Sequence, residues 1–299
     1  MCCDGRVSDA TIESGPEQLR AVAAQLAAEA AAFVRRRRVE VFGARPAASG
    51  GAPPGVRAKS TPTDPVTVVD TETERLLRDR LARLRPGEPI LGEEEGGPVG
   101  ADDGQITWVL DPIDGTVNFV YGIEAYGVSV AARRDGASLA GAVADVAADA
   151  VYSAALGHGA WLSRAGAVTP LRCNAVSELS MALVATGFAY QRDRRRRQGE
   201  IVAKLLPEVR DLRRIGSCAL DLCMVAAGRL DAYYEQGVHV WDFAAGVLIA
   251  AEAGAHVRSS ESADGGTLVV AAAPGIGAAF EEALARAAAL AAGEVTDGG

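Results

Sequence analysis

Residues 108 to 119 place two aspartates between a predicted strand and a predicted helix. They read WVLDPIDGTVNF, with the acids at Asp111 and Asp114. The apolar residues before Asp111 predict a buried strand, and Gly115-Thr116 predicts the first turn of a helix. The fold must therefore bring a carboxylate-rich turn to the end of a buried strand.

This turn suits both a cation and an oxyanion. The carboxylates of Asp111 and Asp114 can point at one place, where the carbonyl of Ile113 could supply a third oxygen, and Mg²⁺ prefers such hard ligands. The N–H groups of Gly115 and Thr116, at a helix N-terminus, would favour phosphate. The alternative is that Asp114 and Thr116 only cap the helix, which is a common role of both residue types.

Two further acidic stretches support the metal interpretation. Glu93 and Glu94 follow the apolar Ile90-Leu91, which predicts another strand end, and Asp242 lies at the head of an apolar helix. Together with the two aspartates of the turn, these are separated carboxylates at strand and helix ends. Such a pattern resembles a metal cluster that is built from oxygen ligands.

Three motifs together resemble the signature of the inositol monophosphatase family. In chain order they are Gly92-Glu93-Glu94, Asp111-Pro112-Ile113-Asp114-Gly115-Thr116 and Trp241-Asp242-Phe243-Ala244-Ala245-Gly246. The resemblance extends from about Glu17 to about Ala292, which is nearly the whole chain. Within the family, the chain looks most like the actinobacterial inositol-1-monophosphatases.

The expected fold class is α/β, with an α+β N-terminal half and an α/β C-terminal half. The resemblance implies a layered αβαβα sandwich of the sugar-phosphatase type. Hairpin-type strands predict an α+β domain at residues 16–174, and alternating strands and helices predict an α/β domain at residues 175–292. The resemblance implies that the first is the metal-binding domain and the second the substrate-side domain. We expect tails at 1–15 and 293–299, and loops at 44–55 and 97–105.

The resemblance implies a magnesium-dependent phosphomonoesterase with two or three Mg²⁺ ions per site. Glu93, Asp111 and the Ile113 carbonyl would hold the first ion, and Asp111, Asp114 and Asp242 would hold the second. A third, weaker ion would use Glu93 and water molecules. Ions about 3.5–4 Å apart can activate a water and stabilise the leaving oxygen, so that no protein nucleophile is needed.

The catalytic water would be positioned by Thr116 together with Asp70, and Glu93 would act beside them. The N–H groups of Gly115 and Thr116 would bind the phosphate group. Asp70 precedes a helix that we predict from Thr71 to Leu84, so its alternative role is to cap that helix.

The alcohol half of the substrate would meet residues of the second domain. Glu235 matches the acid that accepts hydrogen bonds from ring hydroxyls, and Gly216-Ser217-Cys218 matches the segment beside it; Cys218 stands where Ala or Thr is expected. The alternative for Glu235 is a surface acid at a strand end. Lys59 matches a lysine near the metals, although a loop lysine is usually solvated.

The composition argues against several classes of protein. Acids outnumber bases by 39 to 30, and the net charge of -9 opposes non-specific nucleic-acid binding. The five cysteines lack zinc-type pairs, and none of the three histidines lies beside a nucleophile motif. Because no apolar run resembles a membrane span or a signal peptide, we expect a cytoplasmic protein, and the resemblance adds a homodimer.

Other activities of the same fold are the alternatives. The expected substrate is inositol-1-phosphate, but histidinol phosphate, fructose-1,6-bisphosphate and 3'-phosphoadenosine 5'-phosphate are turned over by relatives. The nucleotide enzymes tend to have Lys-Glu-Phe after the metal turn, whereas this chain has Val117-Asn118-Phe119 as the inositol enzymes do. A second role in transcription complexes is known for some bacterial relatives. The resemblance also implies inhibition by lithium.

The basic run from Arg192 to Arg197 has two interpretations. It is either the solvated face of a helix or a contact to a partner or the substrate. The acidic total and the lack of interleaved aromatic residues favour the solvated face and argue against nucleic acid as the main partner.

Overall fold

The computed structural model describes residues 15–43, 55–59, 61, 63–98, 104–262 and 265–293. The expected tails, apart from Gly15 and Gly293, lie outside these residues, and so do parts of the expected loops at 44–55 and 97–105. Within the described ranges, no helix is both long enough and apolar enough to cross a membrane.

The described residues form seven α-helices and fourteen strands. The α-helices are α1 Pro16–Phe42, α2 Val68–Leu84, α3 Thr116–Tyr121, α4 Arg192–Leu205, α5 Cys218–Ala226, α6 Val240–Glu252 and α7 Gly277–Ala292. The strands are β1 Val56–Ala58, β2 Pro65–Thr67, β3 Ile90–Gly92, β4 Thr107–Asp114, β5 Gly127–Arg134, β6 Ala137–Asp145, β7 Ala150–Ala155, β8 Ala160–Arg164, β9 Ala167–Pro170, β10 Leu183–Thr186, β11 Asp211–Arg213, β12 Ala232–Val238, β13 His256–Glu261 and β14 Thr267–Ala272.

The larger sheet contains β3 to β9 in chain order. Its first two strands are parallel, and all later neighbours are antiparallel. In β4, Trp108 and Leu110 pack on the side of α1, whereas Val109 packs on the side of α5 and α6. Because β4 is buried on both faces, its sequence is a continuous apolar run rather than an alternating one.

A β-bulge lies at the end of β4. Asp111 pairs with Ser129 and Asp114 pairs with Gly127, so three steps along β4 match two steps along β5. Residues three apart in a regular strand point to opposite faces. The extra residue in the bulge reverses this, and it allows both aspartates to lie on the same side of the sheet.

The smaller sheet has the strand order β11-β10-β12-β14-β13. β10 is parallel to both of its neighbours, and β14 is antiparallel to both of its neighbours. Helices cover both faces of this sheet, as expected for the α/β half of the chain.

The helices and the two sheets form five layers. α1 and α2 cover the outer face of the larger sheet, and α5 and α6 pack between the two sheets. α4 and α7 cover the outer face of the smaller sheet. This order confirms the predicted αβαβα sandwich and its α/β class, and it places the N-termini of α5 and α6 beside the end of β4.

The start of α2 differs from the prediction. The helix begins at Val68 rather than at Thr71, and Thr67 is its N-cap, with the Thr67 hydroxyl accepting a 3.1 Å hydrogen bond from the Val69 N–H. The Asp70 carboxylate accepts a 2.9 Å hydrogen bond from the Thr67 N–H. The Thr67 hydroxyl also accepts a 3.4 Å hydrogen bond from the Asp70 N–H, so Thr67 and Asp70 form a capping box, and the interpretation of Asp70 as the N-cap is wrong.

Two features of the smaller sheet also differ. β12 extends to Val238, so Glu235 lies inside the strand and not at its end; Gly237, with a φ of +92°, lies at an irregularity that lets the strand continue. β13 was not expected, because most of its side chains are exposed at the sheet edge and its sequence lacks a strong apolar alternation.

We predict opposite effects for two glycine-to-alanine changes. A Cβ at Gly141 in β6 would lie 2.8 Å from Ala245 Cα in α6, so Gly141→Ala should lower the free energy of unfolding by about 1–3 kcal/mol. A Cβ at Gly199 in α4 would meet nothing within 4 Å, so Gly199→Ala should raise it by up to about 1 kcal/mol. Urea unfolding of the two variants checks both signs, and equal midpoints would contradict the close packing of α6 on the sheet.

Candidate active site

A cavity of about 540 Å³ lies where the end of β4 meets α5, α6 and β12. Its lining brings together residues from both halves of the chain: Lys59, Glu93, Asp114, Cys218, Glu235 and Asp242. Most of the acids expected to bind metal or substrate therefore share one cavity, and Asp111 lies directly beneath it with 1% of its surface exposed.

Donors from α5 hold the carboxylate of Asp114. One of its oxygens accepts hydrogen bonds from the Ser217 hydroxyl at 2.7 Å and from the Ala219 N–H at 2.6 Å. Ser217 is also the N-cap of α5, where its hydroxyl accepts a 3.3 Å hydrogen bond from the Leu220 N–H. Ser217, which was expected beside the substrate, therefore contacts Asp114 of the segment 111–116 in this structure. Burial raises the pKa of Asp114 to about 7, although both hydrogen bonds oppose that shift.

Thr116 lies between Asp70 and the carbonyl of Ile113. Its hydroxyl is 3.1 Å from an Asp70 carboxylate oxygen and 3.0 Å from the Ile113 carbonyl oxygen. The expected contact between Asp70 and Thr116 is thus present. Asp70 is fully buried, and burial raises its pKa to about 7.

α3 begins without a capping side chain. Gly115 is its N-cap, and neither Asp114 nor Thr116 makes a cap hydrogen bond. The interpretation of these residues as simple caps is therefore wrong. Gly115 has a φ of +94°, and a Cβ there would lie 2.9 Å from the Ala125 carbonyl oxygen and 3.1 Å from that of Gly216. The absence of a side chain lets the two predicted phosphate and substrate segments meet.

Lys59 forms ion pairs with the turn that follows β3. Its ammonium lies 2.7 Å from a carboxylate oxygen of Glu93 and also contacts Glu94. Burial alone would lower the pKa of Lys59, but the two glutamates more than offset this and raise it. Glu74, which the sequence analysis did not single out, accepts hydrogen bonds from the N–H groups of Glu94 at 2.7 Å and Glu95 at 3.0 Å. The sequence signal for Glu74 was its position four residues after Asp70, which places both acids on one face of α2.

Asp242 and Asp111 experience the same acidic surroundings. Burial raises the pKa of Asp242 well above its ordinary value, and the charges of Asp114 and Glu93 add to the shift. The pKa of Asp111 is raised by burial, by the charges of Glu93, Asp114 and Asp242, and by the close approach of the Glu93 carboxylate. Asp242 also accepts a 2.6 Å hydrogen bond from the His239 N–H at the start of α6.

Within the described residues, no three His, Cys, Asp or Glu side chains are arranged so that they could hold a metal ion as they stand. These acids have other partners: Lys59 pairs with Glu93, donors of α5 hold Asp114, and the His239 N–H donates to Asp242. The donor chemistry nevertheless fits a hard divalent cation, because buried carboxylates with raised pKa values face one another with little positive charge to balance them.

The substrate side of the cavity contains Glu235 and a tyrosine. The hydroxyl of Tyr233 donates a 2.8 Å hydrogen bond to one carboxylate oxygen of Glu235, and burial raises the pKa of Glu235. A Cβ at Gly187 would lie 1.8 Å from that same oxygen, so only glycine fits there. Cys218 is buried beside Tyr233, and Gly216 lies under the guanidinium of Arg214.

Two further residues of the site were not identified from the sequence. Asp221 on α5 is fully buried, and neither of its carboxylate oxygens has a hydrogen-bond partner. Burial, with the charges of Glu235 and Asp114, raises its pKa well above the ordinary value. Its position as the lone charged residue of an apolar helix was the signal. Arg194, from the basic run on α4, lines the cavity.

Comparisons with known proteins agree with this geometry. The model of the inositol monophosphatase family matches residues 16–294. The chain belongs to the inositol monophosphatase family. It is 65% identical over 280 residues to the inositol-1-monophosphatase of Mycobacterium leprae, covering 92% of this chain and 96% of the relative.

Two further similar proteins, one of them a solved structure, carry the name SuhB. The solved structure of Mycobacterium tuberculosis SuhB is similar with a TM-score of 0.78 and 58% identity, covering 92% of this chain and 98% of that chain. A protein of Pasteurella multocida named Nus factor SuhB is 40% identical over 197 residues, covering 66% of this chain and 72% of the relative. As a member of this family, the chain is a phosphatase by class.

We predict that the metal-free protein loses stability as the pH rises from about 5 to about 7. Burial raises the folded-state pKa of Asp70 and of Asp114 from 3.8 to about 7. Over this interval the folded chain holds protons that the unfolded chain has released, so unfolding becomes more favourable as the pH increases. Urea unfolding in EDTA at several pH values measures this slope.

The variant Asp114→Asn should reduce this slope, because its side chain cannot titrate. Asp193→Asn, an exposed acid on α4, is the matched control and should leave the slope unchanged. A slope in the parent that equals the slope in Asp114→Asn would contradict the assignment of the pH dependence to this carboxylate.

Proposed function

We propose that the chain hydrolyses inositol-1-phosphate to myo-inositol and phosphate in a magnesium-dependent reaction. The observation that carries this proposal is the shared cavity, in which the buried acids of β4 and α6 face Glu235 of β12. A cluster of like-charged buried carboxylates is unfavourable unless protons or cations balance it. A dedicated cation site explains why the fold keeps these acids together.

The residues that would hold Mg²⁺ are Glu93, Asp111 and the Ile113 carbonyl for one ion, and Asp111, Asp114 and Asp242 for a second. When bound, the ions would polarise the phosphate and lower the pKa of a coordinated water, which would make that water a better nucleophile. Two or three ions per site are included in the proposal. Lys59 contacts Glu93 at 2.7 Å, so Lys59 and a cation would compete for this carboxylate.

Asp70 and Thr116 are proposed to position the attacking water. The Thr116 hydroxyl has one hydrogen, which it can donate to Asp70 at 3.1 Å or to the Ile113 carbonyl at 3.0 Å. In either case the lone pairs of the Thr116 oxygen remain able to accept a hydrogen bond from water. This orients the water while Asp70, which is buried, restrains the hydroxyl.

The N-terminus of α3 is proposed to bind the phosphate group. Gly115 and Thr116 present their backbone there without a capping side chain, and helix N-termini favour oxyanions. On the other side of the cavity, Tyr233 occupies one oxygen of Glu235. The second oxygen is therefore the acceptor that we assign to a hydroxyl of the inositol ring, next to Gly216, Ser217 and Cys218.

The contacts of Asn118 support inositol-1-phosphate as the substrate among the related phosphate esters. Its side-chain amide donates hydrogen bonds to the carbonyl oxygens of Ala125 at 2.8 Å and Ile215 at 2.9 Å. It therefore ties the helix after the metal turn to the segment that begins the substrate wall. Charged residues in the Lys-Glu-Phe pattern could not make the same paired amide contacts.

A second candidate function is binding within a transcription complex. The observation that favours it is the similarity to the Pasteurella multocida protein named Nus factor SuhB. The proposal also includes a homodimer and inhibition by lithium, both of which rest on the family resemblance.

The first test compares phosphate release from inositol-1-phosphate, fructose-1,6-bisphosphate, histidinol phosphate and 3'-phosphoadenosine 5'-phosphate, with Mg²⁺ and with EDTA. We expect inositol-1-phosphate to be preferred and EDTA to abolish turnover. Asp111→Asn should lower kcat at least about 1,000-fold, because bound metal contributes several kcal/mol to the transition state. Asp193→Asn is the control and should behave like the parent.

Other outcomes of this comparison are equally informative. Preference for another ester would contradict the substrate while keeping the site, and activity of Asp111→Asn with Mg²⁺ would contradict the metal assignment. Absence of release from all four esters would favour the transcription role, which a pulldown with RNA polymerase then tests.

A second test addresses the hydroxyl contact. Glu235→Gln should raise KM for inositol-1-phosphate about tenfold, since one hydrogen bond to a charged acceptor contributes about 1.5–3 kcal/mol. KM for p-nitrophenyl phosphate, which has no ring hydroxyls, should change little. A similar rise for both esters would show that Glu235 acts on the phosphate half of the site instead.

A further inference from the structure

A second cavity, of about 570 Å³, lies at the C-terminal end of α5. Its walls come from β7, β8 and β9, from the residues after β9 and from those after α5. Three arginines line it, namely Arg164, Arg172 and Arg229. We call it the arginine cavity.

The arginine cavity is separate from the candidate active site. Ser217 and Asp114 meet at the N-terminus of α5, whereas Ala227 and Arg229 lie beyond its C-terminus. A helix of nine residues is about 13 Å long, so the two cavities lie at opposite ends of the same helix. They share no lining residue.

The positive charge of the arginine cavity is not balanced within its lining, because none of the residues that line it is acidic. Of the two aspartates just before β7, Asp149 forms a 2.8 Å ion pair with Arg35. Asp145 lies outside the lining, where it accepts a 2.9 Å hydrogen bond from the Ala148 N–H, and its charge contributes to the raised pKa of Tyr152. Across the described residues, the side chains of Arg164 and Arg172 have no hydrogen bond or ion pair.

Arg229 and Tyr152 add a further donor to this cavity. The Arg229 guanidinium lies close enough to the Tyr152 oxygen to lower the pKa of that phenol, and a guanidinium can only donate. The hydroxyl hydrogen of Tyr152 is then free to donate elsewhere. Burial raises the pKa of Tyr152, which keeps that hydrogen in place at neutral pH.

A structural explanation accounts for only one of the arginines. Cations near a helix C-terminus interact favourably with its carbonyl groups, and this suits Arg229 after α5. Arg164 is in β8 and Arg172 follows β9, so neither belongs to that helix end. Like charges that line one cavity repel one another unless a counter-ion lies between them. In a chain with a net charge of -9, three arginines without an acid therefore indicate an anion.

The chemistry of the donors defines the anion. Guanidinium groups bind phosphate through paired, charge-assisted hydrogen bonds, and a phenol can add another. A volume of about 570 Å³ lies within the range of small-molecule sites and exceeds what a bare ion needs. We propose that the arginine cavity is a second anion site, which binds a small phosphate-bearing molecule away from the active site.

Hydrogen–deuterium exchange of the full chain in EDTA tests this proposal, with pyrophosphate as the probe and sodium chloride at matched ionic strength as the reference. We expect pyrophosphate to protect amides in the segments 148–172 and 227–230, which form the cavity. In the double variant Arg164→Gln/Arg172→Gln, this protection should require at least about tenfold more pyrophosphate, because two charge-assisted contacts are lost.

The double variant should fold normally, since both side chains are exposed and have no partner in the described structure. The matched control is Arg196→Gln/Arg258→Gln, which removes the same charge from the surfaces of α4 and β13. Equal weakening in both double variants would overturn the proposal in favour of general electrostatic attraction. Protection confined to residues 111–119, 214–220 and 235–242 would overturn it too, because the anion would then bind only at the active site.

The source of the phosphate group is resolved by two further probes. Inorganic phosphate and glycerol 3-phosphate are titrated against the same cavity amides. Equal affinity would support a site for free phosphate, and at least about tenfold tighter binding of the ester would support a site for a phosphorylated metabolite. Failure of the proposed phosphatase activity would leave this result unchanged, because the test is made without metal and without turnover.

Discussion

The position of the acidic cluster depends on one extra residue in β4. Because three steps from Asp111 to Asp114 match two steps from Ser129 to Gly127, both aspartates can lie on the side of the sheet that faces α5 and α6. The N-terminus of α5 then supplies Ser217, which holds Asp114 at 2.7 Å. A regular strand would point one of the two carboxylates toward α1, into an apolar layer where no donor from α5 could reach it.

Gathering these acids has an electrostatic cost, and the structure shows how it is reduced without a metal. Lys59 pairs with Glu93, and the raised pKa of Asp111 favours its neutral form. The N–H of His239 donates to Asp242, and donors of α5 hold Asp114. Protons and one lysine thus neutralise charge that divalent cations would neutralise in the proposed reaction. The raised pKa values and the absence of an assembled ligand set have the same physical cause.

The sequence predicted what has a local signature, and it failed where the evidence is tertiary. The segment 111–116 and the head of α6 combine strand, turn and helix signals within a few residues, so their placement could be inferred before the structure. Glu74 and Asp221 had weaker signals, namely a helical spacing from Asp70 and a lone charge in an apolar helix, and neither signal says what the buried carboxylate contacts. The start of α2 was misplaced for a different reason. Val68 and Val69, which follow the N-cap Thr67, are residue types that favour strands, so the helix was predicted to begin after them.

The same distinction explains why the reaction class follows from the sequence more directly than the substrate does. Four of the residues proposed to act on the phosphate group, Asp111, Asp114, Gly115 and Thr116, lie on one continuous segment with a long motif. Groups that would recognise the alcohol are single residues on separate elements, and their positions depend on contacts between the two sheets. Asn118 joins these two sets by binding Ile215 next to Gly216, while Gly187 leaves space for Glu235. Selectivity among phosphate esters therefore depends on how precisely α5 and β12 are packed, and a small change at either element would alter the substrate while leaving the acidic cluster intact.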